Sequence, residues 1–128
     1  MLKICTEKYI LVKTQFAGTH NWPTCDDQFS VDFLKYRHRH IFYIEAILSV
    51  SHKERQLEFF CVKEEIDNFI QNNFFIQNRI VHLKDSSCET LAEQIVYSLL
   101  DLYDCKYIKV QVLEDNECGG IAAYSEDE

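Results

Sequence analysis

Runs of β-branched and aromatic residues set the rhythm of the chain. Residues 9–19 form the first, through Tyr9-Ile10-Leu11-Val12 to Phe16, and predict a strand. Gly18 near its end predicts a bulge or a close backbone approach. The polar cluster at 21–28, with the only proline, Pro23, predicts a loop that can close over a site. Residues 37–50 predict a second strand, and the polar stretch 51–56 a turn or bulge. Leu57 to Val62 reads as a short strand or a lead-in, and Lys63 to Gln71 as a helix with Val62, Ile66, Phe69 and Ile70 on one face. Residues 72–83 fit either more helix or an extended connection. Ser86 and Glu89 have the spacing of a capping box. Leu91, Ile95, Leu99 and Leu102 then recur at helical spacing, predicting a helix that ends near Asp104. Tyr107 to Glu114 alternates apolar with polar, residues 115–120 read as a turn, and 121–124 as a returning strand. The order β-β-α-α-β-β predicts an α+β fold: a four-stranded antiparallel sheet with both helices packed on one face.

That pattern gives the histidines their meaning. His38 and His40 lie one residue apart in a predicted strand, so both rings leave the same face. His20 closes the first strand, and pairing the two strands would bring it beside them. Three neutral imidazoles with one open position form a catalytic zinc arrangement. An imidazole is also an ordinary hydrogen-bonding strand residue, as His52 and His82 remind us, so the grouping depends on register.

Composition narrows the field. At 128 residues, 47% hydrophobic and 27% charged, the chain predicts one soluble domain, 1–128, with an acidic tail at 125–128. A formal net charge of −8 argues against unaided binding to nucleic acid. No apolar run reaches the ~20 residues of a membrane span, and the first residues lack a signal-peptide core, so a cytoplasmic location is expected. The six cysteines include no C-x-x-C pair and are expected to be free thiols. Cys25 and Cys118 stand out by their polar, turn-like surroundings. Lys35, Arg37 and Arg39 place positive charge around the histidines, which suits a solvated face or a phosphate. Trp22 beside His20 reads as a core plug or as a stacking wall for a flat ligand.

Taken together, these motifs resemble the 6-pyruvoyl-tetrahydropterin synthase and 6-carboxy-tetrahydropterin synthase family of the tunnelling fold. The family's Phe-x-x-x-His is matched by Phe16 to His20, and its His-Gly-His by His38-Arg39-His40. Its Pro-Thr-Ser-Glu-x-Leu-Ala is matched in part by Ser86-Ser87-Cys88-Glu89-Thr90-Leu91-Ala92, and its late strand glutamate by Glu114. The resemblance implies Zn2+ held by His20, His38 and His40. It implies a pterin- or purine-like ring gripped by Glu114, with Glu89 either sharing the cradle or only capping the helix. On the residues' own reading Trp22 would then wall the ring and Arg37 would lie near a substrate's phosphates. It also implies a homo-oligomer, a trimer or dimer of trimers, whose sheets close into a barrel. The departures lie in the proton-transfer groups. The family's catalytic cysteine position holds Leu34, leaving Cys25 as the nearest thiol. The family's Leu-Asp-His has no counterpart, and His82 is preceded by Val81.

Two functions stay open on this reading. One is a zinc-dependent lyase acting on a dihydroneopterin-triphosphate-type substrate, with Cys25 or His82 moving protons, toward tetrahydropterins or the deazapurine precursor of queuosine. The other is a non-catalytic module that binds or sequesters a purine, pterin or nucleotide. A third, blander option is a structural oligomer whose histidines only pack or bind metal.

Overall fold

The computed structural model describes residues 2–3, 5–25, 31–51 and 55–126. The loop expected at 21–28, the polar segment 51–56 and the acidic tail lie partly outside this set. β1 (Lys8–His20) and β2 (His38–Val50) are long antiparallel partners, with a one-turn 3-10 helix at Asp32–Lys35 between them. α1 (Phe59–Asn73), β3 (Phe75–Gln77), β4 (Ile80–Lys84) and α2 (Cys88–Leu102) follow, and β5 (Tyr107–Glu114) and β6 (Cys118–Ser125) close the chain.

The sheet has six strands in the order β3-β4-β1-β2-β5-β6, not four. It is mixed, because β4 runs parallel to β1 while the other pairs are antiparallel. The extra hairpin occupies the stretch that fitted either helix or extended chain. It turns at Asn78 and Arg79, both with positive φ (54° and 65°). Such a pair makes the hairpin turn whose twist matches its strands.

Alternation puts one face of the sheet against the helices. Phe42, Ile44, Ala46 and Leu48 of β2 and Ile108, Val110 and Val112 of β5 are fully or almost fully buried. They share a core with Val62, Ile66 and Ile70 of α1 and Leu91, Ile95 and Leu99 of α2. The i, i+4 spacing of Val62, Ile66 and Ile70 draws α1 back to Phe59, so residues 59–62 are helix rather than strand. Glu58 caps it by accepting from the Phe60 amide at 3.0 Å. The cap of α2 is Ser87, whose hydroxyl accepts from the Thr90 amide at 3.1 Å, one residue past the expected Ser86/Glu89 pair.

The last hairpin turns at Asp115 and Asn116, with φ of 54° and 61°, so Gly119 and Gly120 belong to β6 instead of the turn. Gly120 serves a close approach. A Cβ there would lie 2.6 Å from the Glu89 amide nitrogen and 2.8 Å from its Cα. Bare backbone lets β6 seat the first turn of α2. Gly120→Ala should therefore cost about 1–3 kcal/mol, read as a lower denaturant midpoint at unchanged slope. No helix among the described residues is long and apolar enough to cross a membrane.

Candidate metal centre and ligand pocket

The site forms where β1, β2 and β5 end together. Register sets it: His20 pairs with His38, Gly18 with His40, and Phe42 with Glu114. Gly18 leaves the space that the Phe16 and Phe42 rings fill, since a Cβ would lie 3.0–3.1 Å from them. Phe42 in turn presents its ring to His20 and His40, at centroid distances of 5.1 and 5.9 Å.

His20, His38, His40 and Glu114 each offer one donor atom, and these atoms all lie within 4.8 Å of one another. Every ring is held from behind. Nδ1 of His20 faces the Ser86 carbonyl at 3.1 Å, and Nδ1 of His38 faces the Tyr36 carbonyl at 2.8 Å. Nδ1 of His40 faces Asp115 Oδ2 at 2.7 Å. Carbonyl and carboxylate oxygens only accept, so each Nδ1 carries the proton and donates. The Nε2 lone pairs are left for the centre, which is the arrangement an outer shell imposes on metal-ligating histidines. Asp115 is itself fixed: its Oδ1 accepts from the Ile41 amide at 3.0 Å, and its own amide donates to the Ile41 carbonyl at 2.7 Å.

The centre calls for a cation. Glu114 places Oε1 2.9 Å from His20 Nε2 and Oε2 3.3 Å from His40 Nε2. His40 Nε2 is nevertheless buried without a hydrogen-bond partner, since the proton on Nδ1 leaves it a lone pair that the carboxylate cannot satisfy. Burial disfavours a charged His20, but the Glu114 carboxylate and Ser86 carbonyl outweigh it and raise its pKa above the ordinary value. The hydrogen bond from His20 and the charge of the neighbouring rings hold Glu114 below the usual carboxylate range, against its burial. The same cluster could hold a metal ion, with the three imidazoles as neutral donors.

A cavity of about 520 Å³ opens beside this group. Trp22, Leu34, Asp85, Cys88, Glu89 and Cys118 line it together with His20, His38 and Glu114. Trp22 is 43% exposed and lies at the wall, so it is no core plug. Glu89 enters from the first turn of α2. The other expected residues lie outside the lining. Cys25 is buried, with its thiol donating to the Val31 carbonyl at 3.4 Å. His82 meets Thr19 Oγ1 at 3.0 Å and stacks on Phe75. Arg37 is exposed between the 3-10 turn and β2.

Cys88 and Asp115 were not singled out by the sequence. The Cys88 thiol sits 3.8 Å from Glu114 Oε1, and burial followed by the charges of Glu114 and Glu89 pushes its pKa up to about 12. It stays protonated and donates, which makes it a poor nucleophile. The adjacency of Asp115 to Glu114 was the one available hint, because a hairpin turn after a strand-end ligand can reach back to a neighbouring strand.

A six-stranded mixed sheet with two helices, ending in a histidine-rich pocket, defines the class of fold. No family model matches the chain, and no curated protein does. Solved structures do. Plasmodium falciparum 6-pyruvoyl tetrahydropterin synthase superposes with a TM-score of 0.68 at 14% identity, covering 94% of this chain and 99% of that one. A catalytic-residue variant of the Plasmodium vivax enzyme, with a glutamate replaced by alanine, gives 0.60 at 15% identity, with coverage of 94% and 99%. Escherichia coli dihydroneopterin aldolase in complex with neopterin gives 0.58 at 8% identity, over 92% of this chain and 99% of that one. The chain has the tunnelling fold of the 6-pyruvoyl tetrahydropterin synthases, a fold also shared with a second pterin enzyme.

Proposed function

We propose that the chain is a zinc-dependent pterin-binding protein of the pterin-synthase type. His20, His38 and His40 hold the ion, and the adjoining cavity takes a flat pterin- or purine-like ring. One observation carries this reading: three imidazoles, each tied at Nδ1, gather with Glu114 so that one donor atom from each lies within 4.8 Å of the others, beside a ring-sized cavity. The occupant's chemistry follows from the walls. Trp22 offers a stacking face. Glu114 and Glu89 offer carboxylates to the N–H and amino groups of the ring edge. The solved structures that share this fold include an enzyme in complex with neopterin. The bound ion would act as a Lewis acid toward oxygens on the ligand's side chain.

Binding without turnover fits the pocket better than the lyase reading. Leu34 lines the wall where the family keeps its cysteine, Cys25 faces a backbone carbonyl, and His82 is occupied by Thr19 and Phe75. One observation keeps turnover as the second reading. Asp85 and Glu89 line the same cavity, and the Plasmodium vivax enzyme has a glutamate named as its catalytic residue. A carboxylate there could move the protons.

Metal analysis of the purified chain should find about one zinc per chain, and calorimetry should detect neopterin binding that His40→Ala abolishes. Incubation with dihydroneopterin triphosphate should return it unchanged. A steady loss of triphosphate in the wild type, absent in Glu89→Gln, would favour the lyase. Asp115→Asn should weaken zinc binding by about 10-fold, in the range that outer-shell partners contribute, while leaving the fold intact. The edge strands β3 and β6 have unpaired outer sides, which a homo-oligomer joined edge to edge would cover. Light scattering should then give a mass several times that of one chain.

A further inference from the structure

We infer that Glu114 is the fourth protein ligand of the metal in the ring-free state, and that a ring enters by drawing this carboxylate off the ion. The inference rests on the proposed metal site and adds a role to the ring-gripping glutamate.

The carboxylate faces the imidazoles. One oxygen stands 2.9 Å from His20 Nε2 and the other 3.3 Å from His40 Nε2. Donors about 2.0–2.1 Å from a tetrahedral ion lie about 3.3 Å apart, so the Oε2–His40 separation suits two corners of one coordination sphere, and the shorter Oε1–His20 contact, a hydrogen bond in the metal-free state, needs only a small opening to do so. The Cys88 thiol steadies the inward position, 3.8 Å from Oε1. The rear support matches as well: all three histidines are braced at Nδ1, and among the described residues the fourth member of the cluster is Glu114.

The same group also lines the cavity and is about 30% exposed on its side chain. It can therefore turn from ion to ring without crossing packed protein. The two oxygens that span His20 and His40 have the spacing to accept two N–H bonds from an amino-pyrimidinone edge. Ring binding would then trade a carboxylate–metal contact for a bidentate hydrogen bond and open the fourth position to the ligand's side chain. A ligand lacking that donor edge cannot make the trade, so selection for the ring is coupled to opening of the metal.

Cobalt(II) loading of the full chain tests this, because visible absorption is intense for four-coordinate cobalt and weak for higher coordination. The wild type should show the intense band. Glu114→Gln should lower cobalt affinity by more than the 10–100-fold that an outer-shell partner costs. Glu114→His, which restores a fourth donor, should recover most of the affinity while failing to bind neopterin. Neopterin added to the wild type should change the band. Near-ultraviolet circular dichroism of the metal-free variants checks their fold. Wild-type affinity and an unchanged band in Glu114→Gln would overturn the ligand role while the histidine site stands. Neopterin binding with no change in the band would overturn the exchange. Equal cobalt affinity in His38→Ala and the wild type would instead remove the metal site itself.

Discussion

Treatment with a chelator should lower the melting temperature of the zinc-loaded protein by on the order of 10 °C. Free metal at about a thousand times its dissociation constant stabilises the folded state by about 4 kcal/mol. For a chain of this size each kcal/mol moves the melting point by roughly 2–8 °C. Without the ion, three imidazoles and a carboxylate crowd together, with donor atoms within 4.8 Å of one another and His40 Nε2 buried without a hydrogen bond. The pH dependence separates the two states. In the metal-free protein the raised pKa of His20 gives stability that is fully present below its ordinary value and lost as pH rises through the folded value. The lowered pKa of Glu114 gives stability present above its ordinary value and lost as pH falls through the folded one. The metal-free form should thus be most stable between the two and weaken above neutrality. Zinc binding runs the other way, since the imidazoles must shed protons to ligate. The gap in melting temperature between loaded and stripped protein should widen from pH 6 to pH 8. A gap that is absent, or that narrows with pH, would remove zinc as the centre's occupant.

How far the sequence foretold this site depends on where each residue sits. His38 and His40 were legible because strand parity is strict, and His20 because it ends the partner strand at the matching register. Glu114 came from the resemblance to the pterin-synthase motifs, and alternation in β5 adds only that it shares the face of Val110 and Val112. The supporting groups were not. The Ser86 carbonyl, the Cys88 thiol and the Asp115 carboxylate come from loops and a helix start, where no period predicts direction. The β3–β4 hairpin stayed hidden for a related reason. All three residues of β3 are exposed, so no burial pattern marks it, and Arg79 is an unusual residue for a turn that needs positive φ. Gly119 and Gly120 misled in the opposite sense, because a glycine pair reads as a turn until the close approach of β5 to Gly119 and of α2 to Gly120 shows why side chains are excluded.

Phe42→Ala should be among the most damaging single substitutions, because Phe42 belongs to the core and to the metal site at once. Its side chain is fully buried and stacks on Phe16 at a centroid distance of 5.3 Å. Its ring also forms the wall behind His20 and His40. Truncating a buried phenylalanine costs about 3–5 kcal/mol, from lost burial and from the cavity left behind. With a urea slope of about 1–3 kcal/mol/M, the midpoint should fall by roughly 2 M. Zinc affinity should fall with it, measured in the fraction still folded, since two imidazoles lose the surface that sets their tilt. Tyr43, the next residue on β2, points to the opposite face and is only half-buried. Tyr43→Ala should therefore cost far less stability and leave zinc affinity unchanged. Similar losses of stability and metal from both variants would mean that the core and the metal centre do not share the face of β2 that the register assigns to them.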